Sequence, residues 1–169
     1  MILTKKIDFA VVFSVKKANP NGDPLNGNRP RIDYEGFGEV SDVCMKRKLR
    51  NRLQDMGEDI FVQSDDNRKE GDNFKSLKER FDANEEINAI VFKATEEKKK
   101  TKKKPSISDK VAKISCKTWY DVRAFGQVFA FGNDEGGDSV SIGVRGPVSI
   151  QSAVSRAPDM VGKAPHADS

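Results

Sequence analysis

The chain has 169 residues, 36% of them hydrophobic and 33% charged, and it carries a net charge of +4. This length suits one domain with a sizeable core, and the polar composition predicts long solvated loops. Cys44 and Cys116 have no CxxC partner and His166 is the one histidine, so neither a metal site nor another cofactor is expected. With no signal sequence and no membrane-length apolar run, the sequence predicts a cytoplasmic protein without a membrane partner.

The first elements are a strand and a turn-rich loop. Residues 7–15 are rich in β-branched and aromatic side chains, which predicts a buried strand. Residues 19–31 follow, with two Asn-Gly pairs and three prolines, which favour tight turns over a helix.

A helix is predicted after this loop. Ser41 or Asp42 can cap its beginning, and Gly57 can end it. Helical spacing predicts a narrow core-facing stripe made of Met45, Leu49, Leu53 and Met56.

The middle of the chain, residues 57–106, is the least regular part. It predicts a short strand at 59–63, a helix at 74–81 and a strand at 87–93. The lysine run at 98–104 repels itself too strongly to pack, so we expect a loop or hairpin tip there.

A second strong helix is predicted after Pro105, capped by Ser106 or Ser108, with a buried face that extends to Phe125. Trp119 and Tyr120 are expected in the core or on the helix flank. Strands are predicted at 128–131, 139–144 and 148–154, with a turn at 134–137 and a disordered tail at 157–169. This order is typical of an α+β fold of the ferredoxin-like or RRM type, in which two helices pack on one antiparallel sheet and irregular segments are inserted.

Charge is unevenly distributed. Residues 1–56 have a surplus of +4, residues 57–97 of −6 and residues 98–169 of +6. Two basic blocks flank an acidic block, which indicates a localised anion-binding surface.

The first helix concentrates cations. Lys46, Arg47 and Arg50 share one arc of about 100° beside the predicted apolar stripe. Like charges four residues apart cost roughly 0.2–0.5 kcal/mol per pair, and a phosphate backbone would turn that repulsion into attraction. An ordinary solvated helix face is the alternative interpretation.

The loop before the helix has a matching interpretation. Its glycines allow close approach to a ligand, its asparagines supply amide donors, and Arg29 and Arg31 can clamp phosphates. The alternative is a connection that uses glycine and proline only to turn.

Four blocks of sequence occur in a fixed order. They are Phe9-Ala10-Val11-Val12-Phe13; Asn19-Pro20-Asn21-Gly22-Asp23-Pro24 continuing through Asn28-Arg29-Pro30-Arg31 and 41–50; residues 119–129; and Val144-Arg145-Gly146-Pro147-Val148. Together they resemble the backbone subunit of the CRISPR Cascade complex, the Cas-seven family, and within it the subtype I-C branch.

The resemblance implies an RRM-like palm over residues 1–156 with an insertion at about 57–106. It also implies a noncatalytic protein that polymerises along CRISPR RNA, together with other Cascade subunits, and presents the guide to target DNA. Family members continue beyond this point, so we expect this chain to be a fragment or a natural truncation. The RNA contacts implied by the resemblance are Asn19, Asn21, Arg29, Arg31, Lys46, Arg47, Arg50, Arg123 and Arg145.

Two other functions remain open. Related backbone subunits cut target RNA with a loop aspartate, so Asp23 or Asp33 can be proposed for a metal-dependent ribonuclease, although no paired acidic motif supports this. A protein-binding module whose basic patch meets acidic partners is the third hypothesis.

Overall fold

The computed structural model describes residues 3–97, 107–130 and 141–157. Five α-helices and six short strands form there. The helices are α1 (Asp42–Asp55), α2 (Leu77–Asp82), α3 (Glu85–Glu97), α4 (Ile107–Thr118) and α5 (Tyr120–Phe125). The strands are β1 (Gly22–Asp23), β2 (Arg29–Pro30), β3 (Glu39–Val40), β4 (Gly126–Phe129), β5 (Ile142–Arg145) and β6 (Ala153–Val154).

The chain divides into two compact units. The terminal unit contains residues 1–44 and the chain from residue 152 onward, and the central unit contains residues 45–151. The strands pair as three two-stranded antiparallel sheets: β1 with β2 and β3 with β6 in the terminal unit, and β4 with β5 in the central unit. Helices with small antiparallel sheets confirm the α+β class, although the described strands do not join into one sheet.

The core of the central unit is aromatic. The Phe61 ring lies 4.6 Å from the Trp119 ring and 5.2 Å from the Phe129 ring, measured between centroids. Phe81 packs on Phe129 at 4.9 Å. Such ring pairs contribute about 0.5–1.5 kcal/mol each beyond their buried area. Of the two places expected for Trp119, the core and the helix flank, the structure shows the core.

The first predicted helix is confirmed as α1. Ser41 Oγ accepts a hydrogen bond from the Cys44 amide at 3.3 Å, so Ser41 acts as the cap. The helix ends at Asp55, and the turn that follows contains Gly57, whose φ of 93° is readily adopted only by glycine.

The predicted apolar stripe of α1 is wrong. Met45 and Leu53 are half-buried, but Leu49 and Met56 are exposed. The side of the helix that packs inward carries Arg47 and Arg50 instead. Their long side chains reach buried polar groups, and hydrophobic periodicity cannot detect such contacts.

The second predicted helix is present but broken. Trp119 adopts an extended conformation with φ −114° and ψ 119°, which separates α4 from α5. The amide of Tyr120 donates to the Asp59 carbonyl at 2.8 Å, so a tertiary hydrogen bond stabilises the break. The predicted buried positions Val111 and Val122 are confirmed.

The strand predicted at 7–15 does not form. These residues have no regular structure, and their large apolar side chains are exposed, to 96% at Val12. A strand exists only when a second strand accepts and donates its hydrogen bonds. Among the described residues none pairs with this segment, so its strong β propensity is not used.

Two more predicted strands are wrong. Residues 87–93 lie within α3, because Ile87, Ile90 and Val91 follow helical spacing and Asn84 accepts from the Ile87 amide at 3.0 Å as a cap. Residues 59–63 form no strand either, since side chains from three helices satisfy the backbone there.

The remaining predictions are met in part. The helix predicted at 74–81 begins three residues later, as α2, with Ser76 accepting from the Glu79 amide at 3.1 Å. Strands β4 and β5 form near their predicted places, while only the end of the 148–154 prediction becomes β6. The lysine run at 98–104, the turn at 134–137, the residues at 105–106 and the tail from residue 158 lie outside the described residues.

Candidate nucleic-acid interface

The loop of residues 19–31 is a hairpin held by local hydrogen bonds. Strands β1 and β2 are joined by a 3-10 turn, Pro24–Asn26, which the Asp23 carboxylate caps by accepting from the Leu25 amide at 3.1 Å. Gly27 ends the turn with φ 60° and ψ 32°, in the left-handed region that favours glycine. The glycines and prolines therefore build a defined hairpin.

Asn19 and Asn21 both serve this hairpin internally. Asn19 Nδ2 donates to the Asn28 carbonyl at 2.7 Å. Asn21 Oδ1 accepts from the amide and the hydroxyl of Ser41, each at 2.9 Å, and its Nδ2 donates to the Gly22 carbonyl at 3.0 Å. Each carboxamide keeps one N–H for an external acceptor. Asn19 therefore holds the hairpin together, Asn21 connects it to the residue before α1, and both retain limited capacity for a ligand.

Arg29 and Arg31 differ in their surroundings. Arg29 is exposed, and its guanidinium has no partner in the part of the chain that the structure describes. Arg31 Nε donates to Glu39 at 2.8 Å, and this hydrogen bond, with the attraction of the carboxylate, raises the pKa of Arg31. Arg29 is the better placed of the two to contact a phosphate.

Arg47 and Arg50 have internal partners. Arg47 Nη1 donates to the Val62 carbonyl at 2.8 Å, and burial is the main reason that the pKa of Arg47 is lowered. Arg50 Nε pairs with Asp121 Oδ2 at 2.9 Å, with side chains only 13% and 1% exposed. The Arg50 guanidinium also lies 5.2 Å from the centroid of the Phe125 ring.

These contacts correct the expectation that crowded cations on α1 need a polyanion outside the protein. The Arg50 charge is compensated by Asp121, and Arg47 is held by a backbone carbonyl, so both first stabilise the central unit. Lys46 is half-buried on the same helix. A binding role for these three residues stays a prediction.

Hydrophobic and charge patterns do not reveal the network around residues 60–62. The Asp121 carboxylate accepts from the Phe61 amide at 2.7 Å and from the Val62 amide at 3.1 Å. Arg80 Nη1 donates to the Phe61 carbonyl at 2.6 Å. With Arg47 of α1, which donates to the Val62 carbonyl, side chains from α1, α2 and α5 thus take the place of a neighbouring strand. One signal could have indicated two of these side chains: a charged residue stands beside a core residue in α5 and in α2, Asp121 before Val122 and Arg80 before Phe81.

Arg123 in α5 and Arg145 in β5 stand where the backbones of these two elements meet in the central unit. A Cβ added to Gly146 would collide with the Ala124 carbonyl oxygen, so the backbones beside these two arginines are in direct contact. Both arginines are exposed, and neither has a carboxylate partner within the described ranges. Arg123 lies over the Tyr120 ring at 4.6 Å, a cation–π contact that helps to orient it. We call these two residues the arginine pair.

Comparison with known proteins identifies the family of this chain. A sequence model of the family described as CRISPR-associated protein Cas7 matches residues 5–165. The chain belongs to the CRISPR-associated Cas7 family. This confirms the family that the four sequence blocks indicated.

One curated Cas7 relative extends this finding. A protein of Haloferax volcanii named CRISPR-associated protein Cas7 is 41% identical to this chain over 69 residues. The match covers 40% of this Cas7-family chain and 20% of the relative, so the matched part spans about a fifth of the relative's length.

In this Cas7-family chain both candidate catalytic aspartates, Asp23 and Asp33, stabilise backbone turns. Asp23 caps the 3-10 turn, and Asp33 Oδ1 accepts from the amides of Glu35 and Phe37 at 2.9 Å each. In residues 3–97, 107–130 and 141–157, no three His, Cys, Asp or Glu side chains are grouped to hold a metal ion. Among the helices described there, none has the length and apolar character needed to cross a membrane.

Proposed function

We propose that this chain is an RNA-binding backbone subunit of a CRISPR effector complex, specifically of a type I Cascade of subtype I-C. In this proposal it is noncatalytic and cytoplasmic, and it assembles along CRISPR RNA with further copies of itself and with other Cascade subunits. Target DNA is recognised through pairing with the guide. The observation that carries the proposal is the family match over residues 5–165.

The geometry supports phosphate contacts in particular. A protein that holds any guide must contact the backbone of the RNA and leave sequence recognition to base pairing. Exposed arginines without carboxylate partners suit that task, and the described residues offer them at Arg29 in the terminal unit and at the arginine pair in the central unit. Their guanidinium groups match phosphate oxygens in two-pronged hydrogen bonds.

The test replaces the arginine pair, as Arg123→Gln with Arg145→Gln. We expect weaker binding of single-stranded RNA in a filter-binding assay and a shallower dependence on salt, by about 0.7 in log–log slope for each phosphate that the protein no longer neutralises. Lys110→Gln with Lys113→Gln removes two exposed cations from α4 and is the matched control. Equal RNA affinity in the two double variants would contradict the proposed role of the arginine pair.

Arg50→Glu is unsuitable for this test. It would place a second carboxylate against the buried Asp121, so loss of binding could reflect unfolding.

A simpler first measurement is whether the purified protein carries nuclease-sensitive RNA. Incubation with Mg²⁺ and labelled RNA then addresses the ribonuclease hypothesis, because we expect the RNA to be retained uncut.

A further inference from the structure

A cavity of about 240 Å³ lies in the central unit, outside the interface described above. It is lined by residues of the segment 63–76 and by the first turn of α2. Three of its lining side chains are cationic, namely Arg68, Lys75 and Arg80, and one is acidic, Asp65. Its volume is below the roughly 300–1,000 Å³ of sites for drug-sized ligands, so it suits a small group.

Arg80 is the most buried cation of the cavity, at 8% exposure. Its Nη1 donates to two backbone carbonyls, those of Ile60 and Phe61, and its Nη2 donates to Asp72 at 2.6 Å. Its Nε is buried and has no hydrogen-bond partner among the described residues. The Arg80 guanidinium also lies 5.7 Å from the centroid of the Phe74 ring, so Arg80 is a fixed wall of the cavity.

Arg68 and Lys75 add further donors. Arg68 is fixed by Asp65, which accepts from Nε at 3.1 Å, and by the Phe74 carbonyl, which accepts from Nη1 at 2.8 Å. A guanidinium has five N–H groups, so Arg68 retains donors after these bonds. The exposed Lys75 ammonium has no partner in the described chain, and solutes can reach it. The one lining carboxylate is already paired, so the cavity offers donors in excess.

We propose that this cavity binds a phosphate group. A tetrahedral anion with several acceptor oxygens matches the remaining N–H groups of Arg68 and the ammonium of Lys75. Phosphate is also small enough for the volume. None of these residues belongs to the interface above, so the site does not depend on the proposed function.

The test uses inorganic phosphate as the probe. The thermal midpoint of the full chain should rise with phosphate concentration, and should not rise with chloride at equal ionic strength, because a ligand that binds only the folded state stabilises it. Lys75→Gln should weaken phosphate binding about tenfold, as expected for loss of one charge-assisted hydrogen bond. Lys78→Gln, a cation on α2 that does not line the cavity, is the matched control and should bind like the parent protein.

An equal response to phosphate and chloride, or equal phosphate affinity in the Lys75 and Lys78 variants, would overturn the proposal. Arg68→Lys keeps the charge but removes the planar fork, and should reduce affinity without abolishing it.

The phosphate group can come from solution or from RNA. Displacement of bound phosphate by a single-stranded oligoribonucleotide, followed by ³¹P NMR, would identify an RNA phosphate as the ligand. Retention of phosphate would identify a free phosphate or phosphomonoester.

Discussion

The side chain of Asp121 is a carboxylate that is only 1% exposed to solvent. It is tolerated because three donors surround it, the Phe61 amide, the Val62 amide and Arg50 Nε. Hydrogen bonds to the charged form offset the cost of removing that charge from water. One side chain thus joins α1, the segment 60–62 and α5.

Asp121→Asn should destabilise the protein by about 3–5 kcal/mol, because it leaves Arg50 buried without its counter-charge. The new side-chain amide also places its N–H groups against Arg50 and two backbone amides, which are donors themselves. The free energy of unfolding from a urea titration measures this. Asp59→Asn is the control, since it removes an exposed pair with Lys69 at 2.8 Å and should cost no more than about 1 kcal/mol. Similar losses in both variants would show that burial does not govern the Asp121 pair.

At the scale of elements, α1, α4, β4 and β5 were predictable, whereas the strands predicted at 7–15 and 59–63 do not form. The hydrogen bonds of a helix lie within its own sequence, so capping at Ser41 and spacing in α4 were sufficient to place α1 and α4. A strand depends on a partner elsewhere in the chain. The segment at 7–15 has no such partner within the described residues, and the segment at 60–62 has side chains as partners.

The candidate site was predictable by residue type but not by role. The excess of arginine and asparagine in two sequence blocks was visible at once. Which of them are occupied internally depends on Asp121, about 70 residues from Arg50 in sequence, and on Glu39 beside Arg31. Sequence spacing cannot show such long-range pairings.

The β4–β5 strand pair depends on Gly146, the residue that follows β5. Gly146→Ala should cost about 1–3 kcal/mol, because the new methyl group meets the Ala124 carbonyl and the Gly126 amide, which are backbone atoms that cannot rotate away. Gly143→Ala, in the same strand pair, meets nothing within 4 Å and is the control. Thermal unfolding should therefore separate the two variants by several degrees. A Gly146→Ala protein as stable as the parent would mean that the backbone around Gly146 is loosely packed.

Over the whole molecule, net charge conceals its distribution. The net value of +4 is the balance of two basic blocks and one acidic block. Long-range attraction of a polyanion depends on where the basic blocks lie, and it weakens beyond about 10 Å at 0.1 M salt. Several lysines of the last block belong to the run at 98–104.

Replacing the six lysines of residues 98–104 by glutamine changes the net charge from +4 to −2. We expect weaker binding to single-stranded RNA of any sequence and a smaller salt slope, because fewer counterions are released from the RNA. The ratio of affinities between two RNA sequences should stay constant, since these charges carry no base readout. Filter binding across a salt series measures both quantities, and a lysine-to-arginine variant of the same segment, which keeps the charge, should bind like the parent protein. A change in sequence preference without a change in salt slope would mean that the run acts through specific contacts and not through its charge.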